Sequence, residues 1–232
     1  MHRNINSLVG YKVEATDGEM GKVEEFYFDD QTWVIRYLIV KTGNWLSDRK
    51  VLISPVALIK ETGRFGGFPV NLTMDQVRKS PNIDTDKPVY RQQETELHQY
   101  YPWQMPPTDE QIVGKADRND KRSGDDLHLR STHAILGYDI ETTDGDMGHL
   151  KDFIIDDATW KIEYLVIEMR AWPIGKKVLL ACKHVKEVQK YTSKVQVDVT
   201  GYALKNSPVF DESGFAYPET IDTVYDNNLP DR

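Results

Sequence analysis

Few side chains in this chain have the type and spacing that chemistry requires. The histidines follow neither an HExxH pattern nor a Cys–His spacing that would gather zinc; they are His2, His98, His128, His133, His149 and His184. The one cysteine, Cys182, ends the apolar run Val-Leu-Leu-Ala-Cys, which indicates a packed thiol, and no serine lies in a GxSxG context. We therefore predict no catalytic residue, no metal site and no cofactor, and a protein that is not an enzyme.

Two pairs of adjacent carboxylates, Asp29-Asp30 and Asp156-Asp157, could in principle serve acid–base chemistry or bind calcium. Adjacent residues at the end of a strand point to opposite faces, so neither pair converges on one point. No EF-hand ligand spacing follows either pair. The Asp-Asp-x-Thr sequence instead favours turns in which a carboxylate accepts backbone hydrogen bonds.

Two Asp-Gly pairs, Asp17-Gly18 and Asp144-Gly145, could be mistaken for phosphate-binding loops. A phosphate cradle needs a glycine-rich loop that leads into the N-terminus of a helix. Strand-like sequence follows both pairs here. We therefore predict β-hairpins with type I′ turns, in which both central residues have positive φ.

Three tryptophans are candidate contacts for a partner. Trp45 and Trp172 lie in predicted loops after the most apolar strands, and Trp103 lies in Tyr-Tyr-Pro-Trp-Gln-Met-Pro-Pro. Tryptophan is large and amphipathic, and it is enriched in binding hot spots. The alternative is that Trp45 and Trp172 each close an open end of their own domain, and that the Trp103 segment packs on a domain of this chain.

The elements that must position these residues occur twice. Residues 10–81 recur as residues 137–208 at a constant offset of 127, and 24 of the 72 aligned positions are identical. Each copy must therefore be one folding unit. We predict a first domain over 1–81, a helical tail and charged linker over 82–126, a second domain over 127–208 and a C-terminal tail over 209–232.

Each copy is predicted to be built of strands. The apolar residues Val23 and Phe26 enclose two glutamates, and Leu150 and Phe153 enclose Lys151 and Asp152. Alternation with period two cannot bury both apolar residues on one face, so we predict a β-bulge at this point. The segments 74–81 and 201–208 are expected to be single helical turns that end at Ser-Pro.

Composition limits the function classes. The formal net charge of the 232 residues is −8, and no basic stripe is present to neutralise phosphates, so nucleic-acid binding is not expected. A single cysteine fits a reducing compartment. No apolar run approaches the roughly 20 residues needed to cross a bilayer, so we expect no direct membrane insertion and a cytoplasmic location.

The repeated motifs resemble the PRC-barrel family, which includes the cytoplasmic part of the photosynthetic reaction-centre H subunit and the C-terminal domain of RimM-type factors. The resemblance lies in Gly-Tyr, Thr-Asp-Gly-x-Met-Gly, Asp-Asp-x-Thr-Trp, Tyr-Leu and Lys-Val-Leu, which appear twice in the same order. It implies a mainly β protein of two tandem small PRC-type barrels with short helical tails and a flexible linker. It implies no catalytic residues.

Charge differs between the copies in a way that suggests how the domains pair. Opposite charges stand at equivalent positions in Glu24 and Lys151, in Arg36 and Glu163, and in further pairs. Across a pseudo-two-fold axis swapped charges attract, so one hypothesis is that Arg36 lies near Glu163, within one chain or in a homodimer. Random surface variation is the alternative.

Three function classes follow. The first is a non-enzymatic cytoplasmic adaptor that holds a protein partner. The second is a peripheral structural component of a membrane-associated electron-transfer complex, which the reaction-centre resemblance implies. The third is a small-molecule-binding barrel, which predicts a deep pocket with converging polar groups and a perturbed titratable residue.

Overall fold

The computed structural model describes residues 1–59, 67–81, 96–97, 99–101, 128–170, 175–207 and 209–210. The chain divides into two compact units whose boundaries cross the repeat. Unit A comprises residues 9–27 and 36–129, and unit B comprises residues 1–8, 28–35 and 130–232. Unit B therefore contains residues 28–35 of the first repeat and the segment 1–8 that precedes it. The domain boundaries expected from the repeat stay a prediction.

The second repeat forms a sheet within unit B. Its strands are β8 (Asp139–Thr142), β9 (Gly145–Asp156), β10 (Lys161–Met169), β11 (Lys177–Ala181), β12 (Val185–Gln189) and β13 (Lys194–Val197). They are arranged in the order β11-β10-β9-β8-β13-β12, in which β8 and β13 are parallel and the other neighbours antiparallel. A seventh strand, β1 (His2–Asn4), pairs with the C-terminal half of β9.

The first repeat forms the corresponding sheet. Its strands are β2 (Lys12–Ala15), β3 (Gly18–Asp29), β4 (Ile35–Lys41), β5 (Lys50–Ile53) and β6 (Gly67–Pro69), in the order β5-β4-β3-β2-β6. The strand β7 (Leu129–Ser131) also pairs with β3. The mainly β prediction is confirmed. Over the described residues neither sheet closes by hydrogen bonds. In the sheet of the second repeat the end strands β11 and β12 are connected along the chain by a 3-10 turn, Cys182–His184.

The predicted hairpins are confirmed, but the predicted turn type is wrong. β2 pairs with β3 and β8 with β9, with Ala15 opposite Gly18 and Thr142 opposite Gly145. The two-residue loops are therefore 16–17 and 143–144, one residue earlier than expected. Neither Asp17 nor Asp144 is among the described residues with positive φ, so these are not type I′ turns.

The predicted bulge is present in the second repeat. Along β9 and β10, Val166 lies opposite Asp152 while Ile167 lies opposite Leu150, so Lys151 is the extra residue. This places Leu150, Asp152 and Phe153 in the buried part of the sheet and leaves Lys151 exposed. The bulge is what reconciles the parity of the sequence with burial.

Helical turns close both repeats, as predicted. The helix α1 (Met74–Lys79) begins with a capping box from Thr73 and Gln76, and α3 (Gly201–Lys205) is capped by Thr200. A third short helix, α2 (Thr132–Ile135), precedes β8. Among the described residues, no helix has the length and apolar character to cross a membrane.

A basic side chain holds the carboxyl end of each repeat's helical turn. Arg49 donates to the carbonyls of Arg78, Ser80 and Pro81, and its equivalent Lys176 donates to those of Lys205 and Ser207. The last carbonyls of a helix lack intrahelical donors, and cations are favoured at that end. Arg49 and Lys176 therefore lock the helix onto the loop before β5 and β11.

Candidate interaction surfaces

The paired aspartates cap turns, as predicted. Asp29 Oδ1 accepts hydrogen bonds from Gln31 N, Thr32 N and Thr32 Oγ1 at 2.8–3.0 Å. In the second repeat Asp156 accepts from Ala158 N and Thr159 Oγ1. The first carboxylate of each pair is thus used locally, which leaves the second, Asp30 or Asp157, for other contacts.

The tryptophan that ends each of these turns has an unusual backbone. Trp33 and Trp160 have φ angles of 59° and 58°, which bulky residues rarely adopt. In this conformation the carbonyl of each tryptophan accepts a hydrogen bond from the equivalent strand of the other repeat. Ile162 N donates to Trp33 O at 2.7 Å, and Ile35 N donates to Trp160 O at 2.8 Å. Backbone strain of this kind persists where surrounding contacts hold it.

These two hydrogen bonds flank a bridge between Val34 and Lys161, which are equivalent positions in the repeat. A position that pairs with its own counterpart lies on a local pseudo-two-fold axis. Within unit B, the beginnings of the two most apolar strands therefore pair antiparallel. The predicted Arg36–Glu163 pair itself stays a prediction, and Glu163 contacts His2 at 2.5 Å.

The segments that precede each Gly-Tyr form a second reciprocal contact. We call residues 2–8 and 129–135 the leading arms. In the first arm, Arg3 Nε lies 2.9 Å from Asp157 Oδ2, and in the second arm Arg130 Nε lies 2.8 Å from Asp30 Oδ2. Each arm thus reaches the second aspartate of the other repeat's turn.

Sequence reasoning missed the leading arms because the repeat was aligned only from Gly10. The signal was present in the spacing: Arg3 and Arg130 each stand seven residues before the glycine of Gly-Tyr. The Asp-Asp turn carried the complementary acid at equal spacing. Opposite charges at matched positions of a repeat would have pointed to this contact.

Beside the first arm lies a cleft of about 700 Å³ in unit B. Its lining combines polar and apolar surface and comprises His2, Arg3, Asn4, Asn6, Ser7, Lys151, Asp152, Ile154 and Phe210. Asp152 is only 4% exposed, and its Oδ1 accepts from Phe153 N and Asn6 N. Burial raises the pKa of Asp152 to about 6, although these hydrogen bonds act in the opposite direction.

Of the three candidate tryptophans, Trp45 lies within the described residues, and Trp103 and Trp172 lie outside them. Trp45 is half-buried, its Nε1 donates to Met20 O at 2.6 Å, and the Arg78 guanidinium lies 5.9 Å from its ring centroid. The polar edge of the ring is therefore satisfied inside unit A. Whether its exposed part contacts a partner stays a prediction.

The loop after Trp45 is strained. Ser47 and Asp48 have φ angles of 53° and 55°, in the left-handed region that favours glycine. The residue equivalent to Asp48 in the second repeat is Gly175, with a φ of 79°. The second repeat therefore satisfies with glycine a backbone conformation that the first repeat imposes on aspartate.

Two of the charge differences are explained within single sheets. Lys151 lies 3.6 Å from Glu168, and these residues are equivalent to Glu24 and Lys41. The two copies thus carry exchanged charges at these two positions. Glu24 in turn lies 3.0 Å from Lys50. These two positions need no pairing between repeats to account for their charge.

Two further titratable candidates, Cys182 and His184, are buried. Cys182 is buried, as predicted, and burial raises the pKa of its thiol well above the usual value. His184 is also buried, and its Nδ1 lies 2.9 Å from Asp198 Oδ1. Within the described ranges no three His, Cys, Asp or Glu side chains are placed to hold a metal ion.

A family model for the PRC-barrel domain matches residues 2–78. The match includes the first leading arm and all strands of the first repeat from β1 to β6. A search of curated proteins found no match.

Proposed function

We propose, from the premise that residues 2–78 are a PRC-barrel domain, that this chain is a non-enzymatic cytoplasmic adaptor. A small β-barrel domain of this family suggests that the chain serves as a protein-interaction module. The net charge of −8 favours a partner with a basic surface, because charge complementarity guides association.

The packing of the two sheets supports this proposal. Apolar side chains fill the described cores, including Val13, Phe26 and Tyr37 in unit A and Phe153 and Leu165 in unit B, each at most 1% exposed. An interior filled in this way offers no room to a ligand. Recognition then falls to loops, sheet edges and the cleft beside the first arm.

The Trp45 loop is the first surface we propose for a partner. It combines a half-buried tryptophan with two strained residues, Ser47 and Asp48. Strained backbone clusters at functional sites, and tryptophan is a frequent anchor of interfaces. Arg78, which lies over the ring, would add a cation at the same surface.

Affinity purification of the tagged full-length protein tests the proposal. The comparison is between the wild type, a Trp45→Ala/Trp172→Ala variant and a Tyr191→Ala control, since Tyr191 is fully exposed. We expect the tryptophan variant to keep its circular dichroism spectrum and lose a partner that the control retains. A variant that unfolds would instead show that the tryptophans only close their domains.

The second candidate is a peripheral component of a membrane-associated electron-transfer complex. The PRC-barrel match favours it, because the reaction-centre H subunit contains this domain. Its test is fractionation of native cells. Sedimentation with membranes and release by high salt would support it, whereas recovery in the supernatant at low salt would favour the adaptor.

A further inference from the structure

Each leading arm forms a short strand that pairs with a strand of the other repeat. We call the edge of β9 at residues 154–156, where the first arm pairs, the slot on β9. His2, Arg3 and Asn4 lie opposite Asp156, Ile155 and Ile154 in an antiparallel register, and Ile5 N donates to Phe153 O at 3.0 Å. The equivalent strand β7 pairs with β3. The first leading arm therefore adds a strand to β9 of the second repeat, and the second leading arm adds a strand to β3 of the first repeat.

Side chains of the first arm also contribute to its binding, in addition to the main-chain pairing with β9. Arg3 pairs with Asp157, and Ile5 and Leu8, each 1% exposed, anchor the arm by burying their side chains. The second arm repeats these features with Arg130 and the buried Ile135. Main-chain pairing provides affinity in such strand additions, and side-chain pockets provide specificity.

A glycine with positive φ follows each arm. Gly10 and Gly137 have φ angles of 86° and 84°, and a Cβ built on either would meet no atom within 4 Å. Glycines in open space can change φ and ψ without a steric cost. Gly10 N and Gly137 N donate to Val23 O and Leu150 O, both at 2.8 Å, so a change in the direction of an arm has to keep or replace this hydrogen bond.

We propose that the slot beside residues 154–156 of β9 also accepts the leading arm of a second copy of this chain, which gives an arm-exchanged dimer. This proposal deepens the interaction role proposed above, because it names one partner. The contacts of the arm are the same within one chain and between two. The balance depends on protein concentration relative to the effective concentration of the tethered arm, which is in the mM range for short linkers.

Disulfide trapping between full-length chains tests the exchange. Asn4 and Ile154 are directly opposed, so one population carries Asn4→Cys and the other Ile154→Cys, both in a Cys182→Ala background. After joint incubation at high concentration, oxidised glutathione is added and the products are resolved by non-reducing electrophoresis. We expect a band of twice 26.8 kDa whose yield rises several-fold with concentration.

Two controls make the outcome decisive. The double variant Asn4→Cys/Ile154→Cys must close within one chain, and Tyr191→Cys in place of Ile154→Cys measures random collision, since Tyr191 is fully exposed. If a cysteine variant fails to fold, the opposed pair His2→Cys and Asp156→Cys replaces it. A mixed band no stronger than the collision control, with the double variant closing normally, overturns the exchange. That result leaves the affinity purification of other partners unaffected.

Discussion

The first prediction concerns the ionisation of Asp152, a carboxyl group that is buried in strand β9. Its side chain is 4% exposed and its carboxylate receives backbone hydrogen bonds from Phe153 and from Asn6 of the leading arm. Burial disfavours the charged form more than these donors favour it, so the pKa rises from 3.8 to about 6. The perturbation that tests this is Asp152→Asn, which keeps one carbonyl oxygen for the same donors.

The sign and size follow from linkage. A carboxyl group whose folded pKa is raised contributes stability that is fully present below the unfolded pKa. That contribution is lost as pH rises through the folded pKa. A rise of about two pKa units corresponds to about 3 kcal/mol. Part of this contribution is already lost at pH 4, just above the unfolded pKa of 3.8, so we expect the free energy of unfolding of the wild type, relative to Asp152→Asn, to fall by about 2 kcal/mol between pH 4 and pH 7.

Urea denaturation of both proteins at pH 4, 5, 6 and 7 measures this difference, and other carboxyl groups cancel because both chains contain them. Equal m-values would show that the same surface unfolds in each. A direct readout is the NMR titration of the Asp152 carboxyl carbon, with an expected midpoint near pH 6. A difference that stays constant across the pH range, together with a midpoint near 4, would refute the reasoning.

Three further predictions concern packing and backbone. Gly148→Ala should lower the free energy of unfolding by about 2–3 kcal/mol, because the new Cβ would lie 2.4 Å from Glu168 O. Gly137→Ala has open space around its Cβ and should lower the free energy of unfolding by less, and urea denaturation compares the two variants. Asp48→Gly should raise the free energy of unfolding by about 1 kcal/mol, because glycine accepts a φ of 55° without strain. The expected readout is a higher melting temperature, and an unchanged or lower one would contradict the prediction. Cys182 should react with a thiol reagent only after denaturation, because it is buried and protonated, and rapid labelling of the native chain would count against that placement.

The strand content, the hairpins, the bulge and the helical turns could be predicted from sequence because each depends on local pattern. Lys151 illustrates this: the spacing of Leu150 and Phe153 required an extra residue between them, and the extra residue lies there. The turn type was wrong because Asp-Gly was assigned to the centre of the turn, whereas Gly18 and Gly145 are the first residues of the returning strands.

The candidate surfaces were less predictable because they depend on contacts between distant segments. Nothing local to Arg3 indicates that it pairs with Asp157, and nothing local to Asp152 indicates that the leading arm covers it. The cleft beside this arm contains a carboxyl group with a perturbed pKa, which is one of the features that the small-molecule hypothesis predicts. Its residues come from three separate stretches of the chain, near positions 2–7, 151–154 and 210, so no single window of sequence contains it.

The pairing of β1 with β9 also bears on the order in which the protein assembles during synthesis. His2 leaves the ribosome before its partner Asp156, which is 154 positions further along the chain, the difference between 156 and 2. At roughly 5–20 residues per second, translation needs about 8–30 s to produce that partner. Pairing across so many residues also closes a long loop, which slows folding. Ile5 and Leu8 therefore stay uncovered until their partners are made, and a chaperone that shields short apolar segments would act in that interval.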